Sequence, residues 1–206
     1  MSTEYDRVVK DTPRTSLRER TRQAMRAEVS AVATRLFAEQ GCDNTTVEQI
    51  AAEAGLSRTT FFRYFGTKED VVLTWLEDLG PALAAAFTER PADEHPWTSL
   101  RRTFDVLTAI NADNPERSLA FLRLVGANPT MRARHREKQE GWESLLVPLV
   151  AARLPSDLPA GHDPAPRALV ASAVACLNAA MQAWADGDAT VSRDTLLDRA
   201  MRFPFT

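Results

Sequence analysis

The stretch 45–68, T-T-V-E-Q-I-A-A-E-A-G-L-S-R-T-T-F-F-R-Y-F-G-T-K, constrains this chain more than any other. Val47, Ile50, Ala51 and Ala54 recur at i, i+3, i+4 and i+7, which gives a helix one buried stripe. Thr45 is placed to cap that helix, with Glu48 three residues on completing a capping box. Gly55 follows the last apolar residue, where a left-handed C-terminal position is least costly as glycine. Ser57 then caps a second helix in which Phe61 and Phe65, four apart, turn towards the rest of the domain. Two short helices around one glycine have the spacing of a helix-turn-helix. The second is too short and too aromatic to stand alone, so its outward face needs another purpose.

Charge points the same way once it is located rather than summed. A net charge of −3 argues against a nucleic-acid partner only if it is evenly spread, yet residues 1–70 hold 11 basic and 11 acidic side chains and are neutral. Arg14, Arg18, Arg20, Arg22 and Arg26 crowd one segment against the single Glu19, and Arg58, Arg63 and Lys68 have no acid between them. Such local patches attract phosphate even in an acidic chain. No run of 18 or more apolar residues occurs and the N-terminus lacks an apolar segment, so the expectation is a cytoplasmic protein without a membrane partner. Cys42 and Cys176, like His95, His135 and His162, lack metal-ligand spacing, so neither a metal nor a cofactor is expected.

The remainder is helical by pattern, with no alternating β signal. Residues 1–15 read as a flexible arm, and 16–66 as a helical unit carrying the motif at about 46–65. Residues 67–206 form a longer helical unit. Thr67 caps its first helix, whose stripe is Val72, Trp75, Leu76 and Leu79, and Gly80-Pro81 is expected to kink or stop it. Asn128-Pro129 is a cap followed by proline at the first helical position. The clearest late stripe is Val170, Ala173, Val174, Leu177, Met181 and Trp184.

The ordered set L-F-A-E-Q-G at 36–41, T-T-V-E-Q-I-A at 45–51, A-G-L-S at 54–57 and T-F-F-R-Y-F-G-T-K-E-D at 60–70 resembles the TetR family of bacterial transcriptional regulators. The F-F-R-Y-F string also resembles an actinobacterial subgroup that includes regulators linked to mycofactocin genes. The resemblance implies an all-α homodimer of about nine helices per subunit. In it, an N-terminal three-helix helix-turn-helix domain precedes a C-terminal helical ligand-binding and dimerisation domain. It further implies a repressor, not an enzyme, released from a palindromic operator by a small-molecule inducer. One departure is Phe62, where tyrosine is common, so a hydroxyl that often reaches DNA is missing.

In a helix-turn-helix the second helix enters the major groove and its first residues meet base edges. Arg58, Thr59 and Phe62 lie opposite Phe61 and Phe65 and are assigned to base readout, Arg58 through a fork that fits guanine O6 and N7. Thr60, Arg63, Tyr64 and Lys68, with Thr46, are assigned to phosphates, and the capping Ser57 is counted among the DNA-binding residues. The basic segment before residue 27 is a candidate minor-groove contact. For the inducer, apolar or amphipathic, the middle helices offer Trp97, Phe104, Phe121, Met131 and Trp142, with Arg123 as an anchor for an acidic group. Val170, Val174, Leu177, Met181 and Trp184, with Leu197 and Met201, form the expected dimer face. Blander readings stand beside each: a solvated helix face for the cations, and ordinary core for the aromatics and the late stripe. A helical ligand-binding protein without DNA binding, and an activator of the same family, are the alternatives.

Overall fold

The computed structural model describes residues 17–109, 115–159 and 161–202, and every regular element among them is an α-helix. Helices α1 (Leu17–Gln40), α2 (Val47–Glu53) and α3 (Arg58–Tyr64) come first. Helix α4 (Lys68–Leu73) runs into α5 (Trp75–Thr88) through Thr74, whose φ of −56° and ψ of −37° are helical. Likewise α6 (Pro96–Thr103) meets α7 (Asp105–Ala109) at Phe104. The longest elements of the second half follow: α8 (Pro115–Ala127), α9 (Pro129–Ala151), α10 (Ala165–Asp186) and α11 (Arg193–Arg202). With the two joined pairs counted as single helices, the described residues hold nine, the all-α architecture expected. The arm expected at 1–15 lies outside the described residues.

Local chemistry explains most of the boundaries, and in two places it differs from expectation. The cap of α2 is Thr46 rather than Thr45: the Thr46 hydroxyl accepts from the Gln49 N–H at 3.2 Å and the Gln49 side chain accepts from the Thr46 N–H at 2.8 Å. Thr45 is instead buried and donates its hydroxyl to the Gly41 carbonyl at 2.8 Å, which leaves Glu48 free of the box. Gly55 closes α2 with φ +67°, and the Leu56 N–H reaches back to the Ala51 carbonyl at 2.8 Å. Ser57 caps α3 through the Thr60 N–H at 3.1 Å. The second difference is Gly80-Pro81, which does not stop α5. Pro81 sits on the exposed side, where the carbonyl it deprives of a partner meets water. Gly80 is on the buried side, where a Cβ would come within 3.0 Å of Leu145 Cδ1 and 3.3 Å of Trp142 Cδ1. The glycine lets α9 approach α5 closely.

One hydrophobic core runs through both halves. Val29, Ala33, Leu36 and Phe37 of α1 close over Ile50, Phe61 and Phe65, and that cluster continues through Val71, Val72, Leu73 and Leu76 into Trp142, Leu146 and Val150 of α9. Helix α6 is fastened to α11 by the Trp97 indole N–H, which donates to the Met201 carbonyl at 3.0 Å, and by Arg101, which pairs with Asp105, Asp194 and Asp198. Arg153 donates to the Phe87 and Arg90 carbonyls at 3.0 and 3.1 Å, satisfying groups that the end of α5 leaves open. The segments Lys68–Thr88 and Ala165–Asp186 are long and apolar enough to cross a bilayer, with mean hydropathies of 1.2 and 1.5, although no run of 18 apolar residues occurs. Half of the first is buried as core; only 39% of the second is.

Two glycines test the backbone reasoning with opposite signs. At Gly55 a Cβ would meet nothing within 4 Å, so Gly55→Ala should cost only the left-handed conformation, about 1 kcal/mol, and lower the melting temperature by about 2–4 °C. At Gly141, inside α9 and equally open, Gly141→Ala should raise it by a similar or smaller amount. Thermal denaturation of the two variants beside the parent measures both.

Candidate nucleic-acid interface and ligand cavity

The α3 helix holds its outward face in place from behind. Phe61 is fully buried, meets Phe65 at 5.2 Å between ring centroids and touches Phe62 edge-on at 5.7 Å. Arg58, Thr59, Phe62 and Arg63 are exposed on the other side, and Phe62 leaves 45% of its surface in water. An aromatic ring so placed is only partly used by the protomer's own packing. The Arg58 guanidinium lies 5.6 Å from the Phe62 centroid, and its Nε is paired with the Glu48 carboxylate at 3.0 Å. Arg63 stacks over Tyr64 at 5.0 Å. The Ser57 and Thr60 hydroxyls bond one another at 2.9 Å, and Thr46 is exposed at the start of α2.

Lys68 makes contacts that its sequence position did not disclose. Its ammonium donates to the Cys42 and Thr45 carbonyls at 2.5 and 2.9 Å, joining the start of α4 to the loop before α2. An ammonium has three donors, so the two carbonyls leave one. Among the N-terminal arginines, Arg26 turns inward to Glu77 at 3.8 Å, whereas Arg18, Arg20 and Arg22 are exposed near the start of α1. Arg14 lies outside the described residues.

A cavity of about 730 Å³ opens among α4, α5, α8, α9 and α10. Its apolar walls include Trp75, Leu79, Phe121, Leu122, Val125 and Met181. Phe121 stands edge-on between Trp75, at 5.3 Å, and His135, at 6.2 Å. Gln139 and Asn178 exchange amide hydrogen bonds of 2.7 and 3.0 Å across the α9–α10 wall. Burial holds the His135 imidazole neutral, its pKa lowered from 6.5 to about 4. Arg117, Arg132, Arg136 and Arg193 also line the cavity, Arg193 donating to the Thr108 carbonyl at 2.8 Å, and among the described residues no aspartate or glutamate lines it. A recess of about 430 Å³ adjoins it, sharing Leu122, Gly126, Arg132 and Gln182.

The expected ligand set divides accordingly. Phe121 and Trp142 line the cavity. Trp97, Phe104 and Met131 do not: Trp97 is committed to α11, and Phe104 and Met131 are fully buried side chains packed as core. Arg123 lines the smaller recess and is paired with Asp188. His135, Gln139 and the four arginines were missed because helix spacing shows which residues share a face and not which faces enclose a void. The expected dimer set needs a similar correction. Val170, Val174, Leu177, Trp184, Leu197 and Met201 are buried within the protomer, and Leu177 and Met181 line the cavity. The stripe that α10 leaves exposed is Ala168, Ser172, Ala175, Ala179 and Ala183, of which Ala175 and Ala179 also border the cavity.

Two links join the cavity to the α1–α2 loop. The α4–α5 helix contributes Val72, Trp75, Leu76 and Leu79 to the cavity and Lys68 to the α1–α2 loop. The second is Asn128, whose side-chain oxygen accepts from the Met131 N–H at 2.9 Å to cap α9. That cap leaves the Asn128 amide nitrogen to donate to Asp43 of the α1–α2 loop at 3.2 Å. Lys138 of α9 adds ion pairs to Glu77 at 2.6 Å and Asp70 at 3.8 Å.

Two stretches of the chain match known families. Residues 30–74 match bacterial regulatory proteins of the tetR family, and residues 94–203 match the MftR C-terminal domain. The transcriptional regulator TcmR of Streptomyces glaucescens is 34% identical over 174 residues, covering 78% of this chain and 76% of that one. Among solved structures, Thermus thermophilus FadR, a TetR-family repressor crystallised with lauroyl-CoA, covers 86% of this chain and 92% of its own at a TM-score of 0.56 and 23% identity. Bacillus halodurans FadR, a fatty acid degradation regulator, covers 87% and 93% at 0.57 and 17%.

The half-buried His135 imidazole makes stability depend on pH in a defined direction. A histidine whose pKa is lowered on folding stabilises fully above its unfolded value of 6.5 and loses that contribution as pH falls towards about 4. The difference in melting temperature between the parent and His135→Gln should therefore be constant above pH 6.5. Below it, the parent should lose stability faster than the variant.

Proposed function

Because the chain belongs to the TetR family of bacterial regulatory proteins, we propose that two copies of it bind a palindromic operator as a repressor and leave it when a small molecule fills the cavity. It is a transcriptional regulator and not an enzyme. The observation that carries the DNA-binding reading is the outward face of α3: Arg58, Thr59, Phe62 and Arg63 are exposed together on a helix whose opposite face is pinned by Phe61. Arg58 reads guanine, Thr59 and Phe62 meet thymine methyl groups, and Thr46, Ser57, Thr60, Arg63, Tyr64 and the free donor of Lys68 hold phosphates. Such work on DNA places the protein in the cytoplasm.

The homodimer is supported by α10. Its exposed stripe of alanine and serine permits close approach of a second helix, and the segment's high mean hydropathy goes with only 39% burial in the protomer. The dimer pairs α10 and α11 of both copies along this outer stripe, with the face formed by Val170 and Leu177 kept for the protomer's own core. A ligand of amphipathic, anionic character fits a cavity with aromatic and aliphatic walls and four lining arginines. Lauroyl-CoA, held by the Thermus thermophilus FadR, is a molecule of that description. Filling the cavity shifts α4–α5 and the Asn128–Asp43 contact, and with them the distance between the two reading helices.

Binding to the DNA upstream of the protein's own gene, followed by fluorescence anisotropy against random duplex of equal length, tests the proposal. Arg58→Ala should reduce the ratio of specific to random affinity by about tenfold or more. Arg63→Ala should weaken both duplexes alike and lower the salt slope by about one. A monomer in sedimentation at micromolar concentration would remove the dimer, and equal affinity of the parent for both duplexes would remove operator recognition.

A further inference from the structure

Glu48 stands on the DNA-facing side of the domain, where a carboxylate has no business with phosphate. It is exposed at the start of α2, plays no part in the capping box, which Thr46 and Gln49 complete without it, and pairs with Arg58 at 3.0 Å through Nε. An exposed ion pair of this kind contributes little to stability. Its geometric consequence is larger. An arginine can address guanine either with its two terminal nitrogens or with Nε and one of them. With Nε held by Glu48 and the guanidinium 5.6 Å from the Phe62 centroid, only the terminal pair is left to face outward.

We propose that Glu48 is a positioning residue for specificity: it holds Arg58 by Nε so that the terminal nitrogens meet guanine O6 and N7, and its charge discourages binding to DNA that offers no guanine there. The proposal rests on the DNA-binding reading above. When the reading helix docks, the pair is removed from water, so the carboxylate gains strength as an anchor for a correctly seated Arg58. On a wrong sequence Arg58 swings to a phosphate, and Glu48 is left alone beside the negatively charged backbone. The same side chain therefore favours the operator and penalises the rest.

The test compares Glu48→Ala, Glu48→Gln, Arg58→Ala and the double variant Glu48→Ala/Arg58→Ala on operator and random duplex by anisotropy at several salt concentrations. Glu48→Ala should bind random DNA several-fold more tightly and lose about tenfold in the ratio of operator to random affinity. Glu48→Gln, which removes the charge and keeps an acceptor, should tighten random binding but retain part of the ratio. In the double variant the ratio should be no lower than in Arg58→Ala alone, because Glu48 acts through Arg58. An unchanged ratio in Glu48→Ala overturns the proposal. So does a further loss of ratio in the double variant, which would mean that Glu48 meets a base directly. Melting temperatures within 2 °C of the parent, expected for an exposed pair, confirm that binding and not folding is being read. If the parent itself binds operator and random DNA equally, the DNA-reading assignment has failed rather than the role of Glu48.

Discussion

The rest of the structure depends on the burial of α4 from every side. Glu69, Val71, Val72, Leu73 and Thr74 are all buried, and with Leu76 they leave the helix no solvent stripe of the usual kind. A helix surrounded in this way belongs to two cores at once. One is the cluster of α1, Phe61 and Phe65 that holds α3; the other is the packing of α5 on α9 that forms a wall of the cavity. Close-packed interiors move in discrete steps and do not deform smoothly, so displacement of α4 is felt in both.

Polar contacts sharpen this dependence. Lys68 and Asn128 both end on the short loop between α1 and α2, one from the start of α4 and the other from the corner between α8 and α9. The corner carries cavity residues Val125, Gly126 and Arg132, and the loop leads directly to Thr46 and the first helix of the motif. The connection from cavity to DNA-binding domain is thus made twice, once through apolar packing and once through hydrogen bonds whose directions are set by the α9 cap.

Much of the first third was legible because its signals are local. The Ser57 cap, the left-handed Gly55 and the inward Phe61 and Phe65 each depend on residues at most five positions apart. Even the misplaced cap of α2 was off by one residue: Thr45 and Thr46 have the same chemistry, and burial of Thr45 against the Gly41 carbonyl decides between them. The cavity was legible only in part. Phe121, Phe104 and Met131 look alike as apolar residues on helices, yet only Phe121 meets the void, since the other two are enclosed where helices touch without a gap. Lys68 showed its charge in the sequence and hid its two carbonyl partners, more than 20 positions away in the chain.

By itself, then, the sequence determined the helices, the helix-turn-helix, the family and the side of α3 that faces outward, because capping, glycine conformation and apolar spacing are properties of neighbouring residues. Tertiary structure decided which side of α10 is core and which is exposed, which aromatic residues border an empty volume, and that four arginines gather there. It also decided that Glu48 meets Arg58, ten positions on and in the next helix. These depend on how separate helices are set against one another, and no spacing along one helix encodes the distance to another.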